Sequence, residues 1–221
     1  MRNPDPYEDR RDAGRSLAEK LKAYASERPV VVGLPRGGVV VAAEVARALK
    51  ADLDVIIAGK LRAPYNPELA IGAITEDGRV YLNELAIRGL HIKPDYLEKE
   101  KKARLAAITE RLTLYRRIKK KVPLNGKTVI IADDGLATGA TMISAIQAAS
   151  AERASKIIVA VPGGPEDSVE RIRGMKEVYD VVCPVIPPLF FAVSQLYADF
   201  RQVEDEEVIE ILKEFSDERK V

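Results

Sequence analysis

Residues 129–141 read VIIADDGLATGAT, and the fold follows from how this stretch is parsed. Its four leading apolar residues, closed by polar and glycine positions, have the pattern of a buried parallel strand. Residues 141–151 supply good helix formers, with Met142, Ile146 and Ala149 on one face. Between strand and helix, Gly135 and Gly139 free the backbone, so that successive N–H groups can converge on one anion at a helix N-terminus. Thr138 and Thr141 add hydroxyl donors, and the loop Ala137, Thr138, Gly139, Ala140, Thr141 therefore suits a phosphate. The adjacent Asp133 and Asp134, when ionised, only accept hydrogen bonds, which is what a vicinal diol requires. Phosphate donors beside paired acceptors fit a sugar phosphate with free hydroxyls, such as a ribose 5-phosphate. The chain contains no G-x-x-x-x-G-K-[ST] run, which excludes a P-loop, and no G-x-G-x-x-G after a strand, which argues against a dinucleotide site.

Outward from this stretch, strand and helix patterns alternate. Residues 9–24 read as an amphipathic helix with Ala13, Leu17, Leu21 and Tyr24 on one face; 30–34 is a short apolar strand, 38–49 a helix and 53–58 the next strand. Residues 157–161 and 178–182 continue the series. The order predicts an α/β fold: a twisted, mostly parallel sheet with helices on both faces, plus a small cap, in one domain spanning 1–221. Two insertions interrupt it. In 70–83, Asp77-Gly78 between β-rich arms signals a hairpin, and 95–121 is a charged helix opened by an Asp95/Glu98 capping box, with Leu105, Ile108, Leu112 and Tyr115 as its stripe. After Pro187-Pro188 a C-terminal cap, 187–221, carries Phe190, Phe191, Tyr197 and Phe200, and then a helix from Asp205 with Val208, Ile211, Leu212 and Phe215 at helical spacing.

A second turn belongs with the first. Residues 30–38, VVVGLPRGG, run from a strand through Arg36-Gly37-Gly38 into a helix. Open α/β sheets bind ligands beyond the carboxyl ends of their strands where strand order reverses, so this turn and the DDGLATGAT loop can face each other. Gly37 and Gly38 permit close backbone approach, and Arg36 offers a planar fork to phosphate oxygens. The competing reading is a plain strand–helix turn with a solvated arginine. Lys60 and Arg62 follow the second strand in an irregular loop, GKLRAPYNPELAIG, as strand-end cations open to water or to an anionic ligand.

The pattern of apolar run, Asp-Asp-Gly, two residues, Thr-Gly, one residue, Thr resembles the phosphoribosyl pyrophosphate motif of type I phosphoribosyltransferases. That resemblance implies that Asp133 and Asp134 bind the ribose hydroxyls, residues 137–141 the 5′-phosphate, and Arg36, Gly37 and Gly38 the pyrophosphate. It also implies a mobile loop bringing Lys60, and secondarily Arg62, to the pyrophosphate, so that Arg36, Lys60, Asp133 and Asp134 form the catalytic set. Mg²⁺ would reach the site through substrate and water, with no direct protein ligand. A hood selecting the acceptor would come from the C-terminal cap or the 95–121 helix. The resemblance runs from about residue 9 to residue 215, and KLRAPYNPELAIGAI and LYADFRQVEDEEV are similar to a branch with no settled acceptor. The base-recognition signatures of the hypoxanthine–guanine, adenine, uracil and orotate enzymes are missing. The resemblance thus implies transfer to a nitrogen acceptor such as a nucleobase; a regulator that binds phosphoribosyl pyrophosphate without turnover is the alternative, and a homodimer is compatible with either.

Composition bounds the rest. The 221 residues are 47% hydrophobic, enough for one sizeable core, and a net charge of +1 gives no global drive toward nucleic acid or membrane. The lone Cys183, in the apolar run VVCPV, reads as a small buried hydrophobe. Residues 1–11 are charged and lack the apolar core of a signal peptide, and no apolar run reaches the ~18 residues of a membrane span. The expectation is a cytoplasmic protein. His91 has no second metal ligand nearby, and the basic run 116–121, RRIKKK, reads as the solvated end of a long helix.

Overall fold

Five short strands, β1 (Val30–Gly33), β2 (Asp52–Val55), β6 (Thr128–Ala132), β7 (Lys156–Ala160) and β8 (Asp180–Val182), lie side by side in the order β2-β1-β6-β7-β8, every pairing parallel. The chain is seen here as a computed structural model that describes residues 5–76 and 78–217. The central strands are buried on both faces, as their unbroken apolar sequences require. Alternate residues serve opposite layers. Val31, Ile130 and Ile158 pack into one core with α1 (Arg10–Leu21), α2 (Gly37–Leu49) and α7 (Asp205–Asp217), whereas Val32, Ile131 and Val159 pack into a second core with α5 (Ala140–Ala151) and α6 (Glu166–Arg173). The sheet is thus the middle layer of three, as the alternating pattern predicts.

Helix ends follow local chemistry. Asp9 caps α1, its carboxylate accepting from the Asp12 N–H at 2.8 Å. In α1, Ala13, Leu17 and Leu21 are fully buried, while Tyr24 falls beyond it in a 3₁₀ turn, Lys22–Glu27. Val208, Ile211, Leu212 and Phe215 of α7 are all buried, as their spacing predicts.

The segment between β2 and β6 departs most from the sequence reading. Residues 58–75 hold no irregular loop. They form β3 (Ala58–Ala63) and β4 (Asn66–Thr75), antiparallel around a turn at Pro64 and Tyr65, and β5 (Val80–Leu82) completes a separate three-stranded sheet. Gly78 has φ +80°, as a tight turn demands, while its neighbour Asp77 lies outside the described residues. A short α3 (Glu84–Gly89), capped by Asn83, precedes the long α4 (Pro94–Ile118). The Asp95 capping box does not form: Lys93 is the N-cap, without a side-chain bond, and Pro94 supplies the preset φ at the first helical position. Ile108 and Tyr115 of the α4 stripe are buried and Leu105 and Leu112 partly so.

The basic run also differs from expectation. Arg116 donates to Asp54 Oδ1 at 2.5 Å, Lys119 is buried and donates to the Phe215 carbonyl at 3.0 Å, and Lys121 pairs with Glu152 at 2.6 Å. Arg116 and Lys119 thus tie α4 and its exit to β2 and α7 instead of standing in water, whereas Arg117, Lys120 and Lys121 are exposed, as the sequence predicts. Asp54, 2% exposed, also accepts the Val122 N–H at 2.7 Å. Arg116→Met should therefore leave a buried carboxylate without its cation and cost about 3 kcal/mol in urea denaturation. Adding Asp54→Asn should recover part of that loss, whereas a single-variant cost under ~1 kcal/mol would rank the pair with ordinary surface bridges.

Candidate functional site

β1 and β6 are adjacent, yet their crossovers part: α2 leaves β1 for β2 across one face, and α5 leaves β6 for β7 across the other. Such a reversal opens a crevice above the carboxyl ends of the two strands. The Leu34 N–H donates to the Ala132 carbonyl at 3.0 Å, holding the strand exits together. Beyond it, the turn Pro35-Arg36 leads into α2 through a cis peptide bond, with Arg36 as N-cap. Asp133 and Asp134 press directly on this turn. A β-carbon on Gly37 would overlap Asp134 Oδ2, and one on Gly38 would stand 2.7 Å from Asp133 Oδ1, so only glycine fits at either position.

The acid pair is held from several sides. Asp133 Oδ1 accepts the Asp134 N–H at 2.9 Å, and the Tyr197 hydroxyl donates to the Asp134 carbonyl at 2.5 Å. Arg10, from the first turn of α1, donates through Nε to Asp134 Oδ2 at 2.7 Å and through a terminal nitrogen to the Arg201 carbonyl at 2.8 Å. Its guanidinium lies 3.9 Å from the centre of the Phe200 ring, which in turn stacks on Tyr197. Burial, with the Asp134 charge beside it, pushes the Asp133 carboxyl well above the usual carboxylate range. Burial likewise raises the Tyr197 hydroxyl, keeping it a donor. Opposite, Arg36 pairs with Glu204 at 2.5 Å. Together the turn, the acid pair, Arg10 and the extended strap of residues 200–203 line a cleft of about 460 Å³.

The loop after the acids leads into α5 with Gly139 as N-cap at φ +76°. The nearest side-chain atom to a β-carbon there would be 3.6 Å away, so it is backbone conformation that requires glycine at this position. Two carbonyls of the loop are already engaged by α6: Ser168 Oγ donates to the Ala137 carbonyl at 2.7 Å and Arg171 to the Thr138 carbonyl at 3.1 Å. With those carbonyls turned aside, the N–H groups opening α5 at Ala140 and Thr141, which have no intrahelical partner, make the electropositive end available to an anion. Ala137 and Thr138 are exposed to receive one.

Of the residues singled out in the sequence, Arg36, Gly37, Asp133 and Asp134 meet in the one cleft, Gly38 backs it, and the 137–141 loop continues from it. Lys60 and Arg62 do not line it; they stand on β3, where the Arg62 carbonyl accepts from the Tyr96 hydroxyl at 3.0 Å. Cys183 is partly buried in the second core, where burial pushes its thiol up to about 11, and His91 is exposed. Phe191 is also exposed, at 83%, unlike the other aromatics of the cap. Sequence reading gave Arg10 and Glu204 no role and Tyr197 only a place in the cap. Each reaches the site from a distant part of the chain, and the available clue, an arginine opening a helix, is indistinct without the fold. Among the described residues no cluster of three or more His, Cys, Asp or Glu side chains could hold a metal. A divalent cation brought in on ligand oxygens and water would find the carboxylates of Asp133 and Asp134 close by, and that donor set is compatible with it. No helix among the described residues is long and apolar enough to cross a membrane.

The chain has known relatives. A family model for the phosphoribosyl transferase domain matches residues 7–200. Two Mycobacterium tuberculosis proteins, both provisionally named phosphoribosyl transferases, are 46% identical over 206 residues, covering 93% of this chain and 46% of theirs. The chain therefore spans about half the length of the curated relatives it matches. The crystal structure of the protein TT1426 from Thermus thermophilus is 42% identical, with a TM-score of 0.83 over 96% of this chain and 100% of that one.

The raised Asp133 carboxyl carries a stability prediction. A group whose folded value lies above its unfolded value of ~3.9 destabilises the fold increasingly as pH rises from the unfolded value through the folded one. Asp133→Asn should thus raise the melting temperature of the ligand-free protein at neutral pH, and the gain should vanish in acid. A variant melting like the wild type at neutral pH would mean that the carboxyl is not strained.

Proposed function

Since the chain belongs to the phosphoribosyl transferase family, we propose that it moves ribose 5-phosphate from phosphoribosyl pyrophosphate to a nitrogen acceptor, a nucleobase or related heterocycle, with release of pyrophosphate. One observation carries this reading: the acid pair stands against the N-terminus of α2 and runs straight into the N-terminus of α5, which sets diol acceptors between two anion-seeking ends. The donor has the matching order of groups, with its pyrophosphate and 5′-phosphate at either end of a ribose bearing two free hydroxyls.

In the reaction the bond from ribose C1 to the pyrophosphate oxygen breaks, the electron pair leaves with pyrophosphate, and C1 bonds to the acceptor nitrogen, which loses its proton. Positive charge grows on the ring and negative charge on the leaving group. The Asp133 and Asp134 carboxylates would orient the ribose hydroxyls and favour the cationic ring. Arg36 and the N–H groups at the start of α2 would take the growing charge on pyrophosphate, aided by the Lewis acidity of Mg²⁺ carried on donor oxygens and water. Loop 137–141 would anchor the 5′-phosphate, far enough from the breaking bond to serve binding more than rate. The single cysteine and mixed charge support a cytoplasmic setting.

A screen with labelled phosphoribosyl pyrophosphate, Mg²⁺ and pooled bases, reading pyrophosphate release, tests the proposal. One pool should accelerate release. Arg36→Ala should then lower kcat by about 10²–10³ while weakening donor binding far less, because its interaction strengthens in the transition state. Tight donor binding with no turnover in any pool, or in slow hydrolysis, would favour a donor-sensing regulator. The double variant Asp133→Asn, Asp134→Asn should weaken donor binding by about 1.5–3 kcal/mol for each charged hydrogen bond lost.

A further inference from the structure

Helix electrostatics alone would not place Arg10 where it stands. It opens α1, and the first turn of a helix carries the positive end of the backbone dipole, which disfavours a cation. It is also 8% exposed, and removing a guanidinium from water costs free energy that only good partners offset. Those partners are Asp134 Oδ2 at 2.7 Å, the Arg201 carbonyl at 2.8 Å and the face of Phe200 at 3.9 Å. Gly37 keeps the space open: a β-carbon there would overlap Asp134 Oδ2 and meet Arg10 Nε at 2.7 Å.

From this geometry we propose that Arg10 is a positioning residue for the acid pair: it fixes Asp134 through one oxygen, leaves the other as acceptor for a ribose hydroxyl, and sets a positive charge directly against the two carboxyl groups. The ribose contact rests on the donor-binding reading above, and the charge balance does not. Other charged groups near the pair have partners of their own. Arg36 on the α2 turn pairs with Glu204, Arg201 on the strap pairs with Glu207, and Arg11 on α1 pairs with Glu44. The carboxylate of Asp9 caps α1, and the Tyr197 hydroxyl, on the cap, donates to the Asp134 carbonyl. Neutralisation of the pair therefore falls to Arg10. Burial and mutual repulsion favour a proton on Asp133, and the Arg10 charge opposes both.

The test compares wild type, Arg10→Met and Arg10→Lys in two measurements. Carboxyl-carbon NMR of ¹³C-labelled aspartate follows ionisation of the pair, and calorimetry follows phosphoribosyl pyrophosphate binding from about pH 5 to about pH 9. In Arg10→Met the midpoint of the pair should move upward by roughly one pH unit or more, and donor affinity should fall about tenfold at neutral pH and recover in alkali. Arg10→Lys, which restores charge without the fork, should return the midpoint close to that of wild type but recover affinity only in part. An unchanged midpoint in Arg10→Met overturns the proposal. So does an affinity loss of equal size at every pH, which is what a residue that merely packs the strap would give. Should Arg10→Met fail to fold, Arg10→Gln, a donor without charge, makes the same comparison. Absence of donor binding by the wild type would sink the transferase reading, while the NMR midpoints would still decide the role of Arg10.

Discussion

Asp133 and Asp134 can sit on the α2 turn only because residues 37 and 38 bring no β-carbon into the space the carboxylates occupy. The rest of the cleft depends on that contact. It brings the acid pair onto the N-terminus of α2, while α5, sent to the opposite face by the reversal between β1 and β6, starts at the end of the loop that follows the pair. Each end seeks negative charge. The protein supplies some of its own: Asp134 against the α2 turn, and Glu204 on Arg36. The site is thus a set of anions and cations already matched to one another, with the Asp133 carboxyl left strained.

The parts of this structure legible in the sequence are those written in local pattern. The apolar run 129–132 announces a strand buried on both faces because each residue meets a core, and the spacing of Val208, Ile211, Leu212 and Phe215 announces the α7 face. Glycines 37, 38 and 139 were readable as places where backbone must come close or turn left-handed, which glycine does without a β-carbon to clash. What stayed hidden is the pairing of residues distant in the chain. Arg10 with Asp134 spans 124 positions and Arg36 with Glu204 spans 168, and neither leaves a periodic trace. β3 escaped notice for another reason: AGKLRA lacks the β-branched residues that mark a strand, and only its antiparallel partner β4 makes it one. RRIKKK misled in the opposite direction, since its composition suggests water while Arg116 and Lys119 are drawn inward by carboxylate and carbonyl partners on β2 and α7.

The bond from Arg10 to the Arg201 carbonyl joins residues 191 positions apart, and the Tyr7 strand bridge to Tyr197 closes nearly the same loop. Contacts of such separation form late, because loop-closure entropy must be met before they stabilise anything. Along the chain Arg10 comes first, the acid pair next, and the strap that carries Phe200 and Arg201 after both. Until the strap docks, the guanidinium lacks its carbonyl and its aromatic face. The strap therefore decides when the Arg10–Asp134 pair gains its remaining partners: the acid pair is completed by a contact 191 positions away from the residue that holds it.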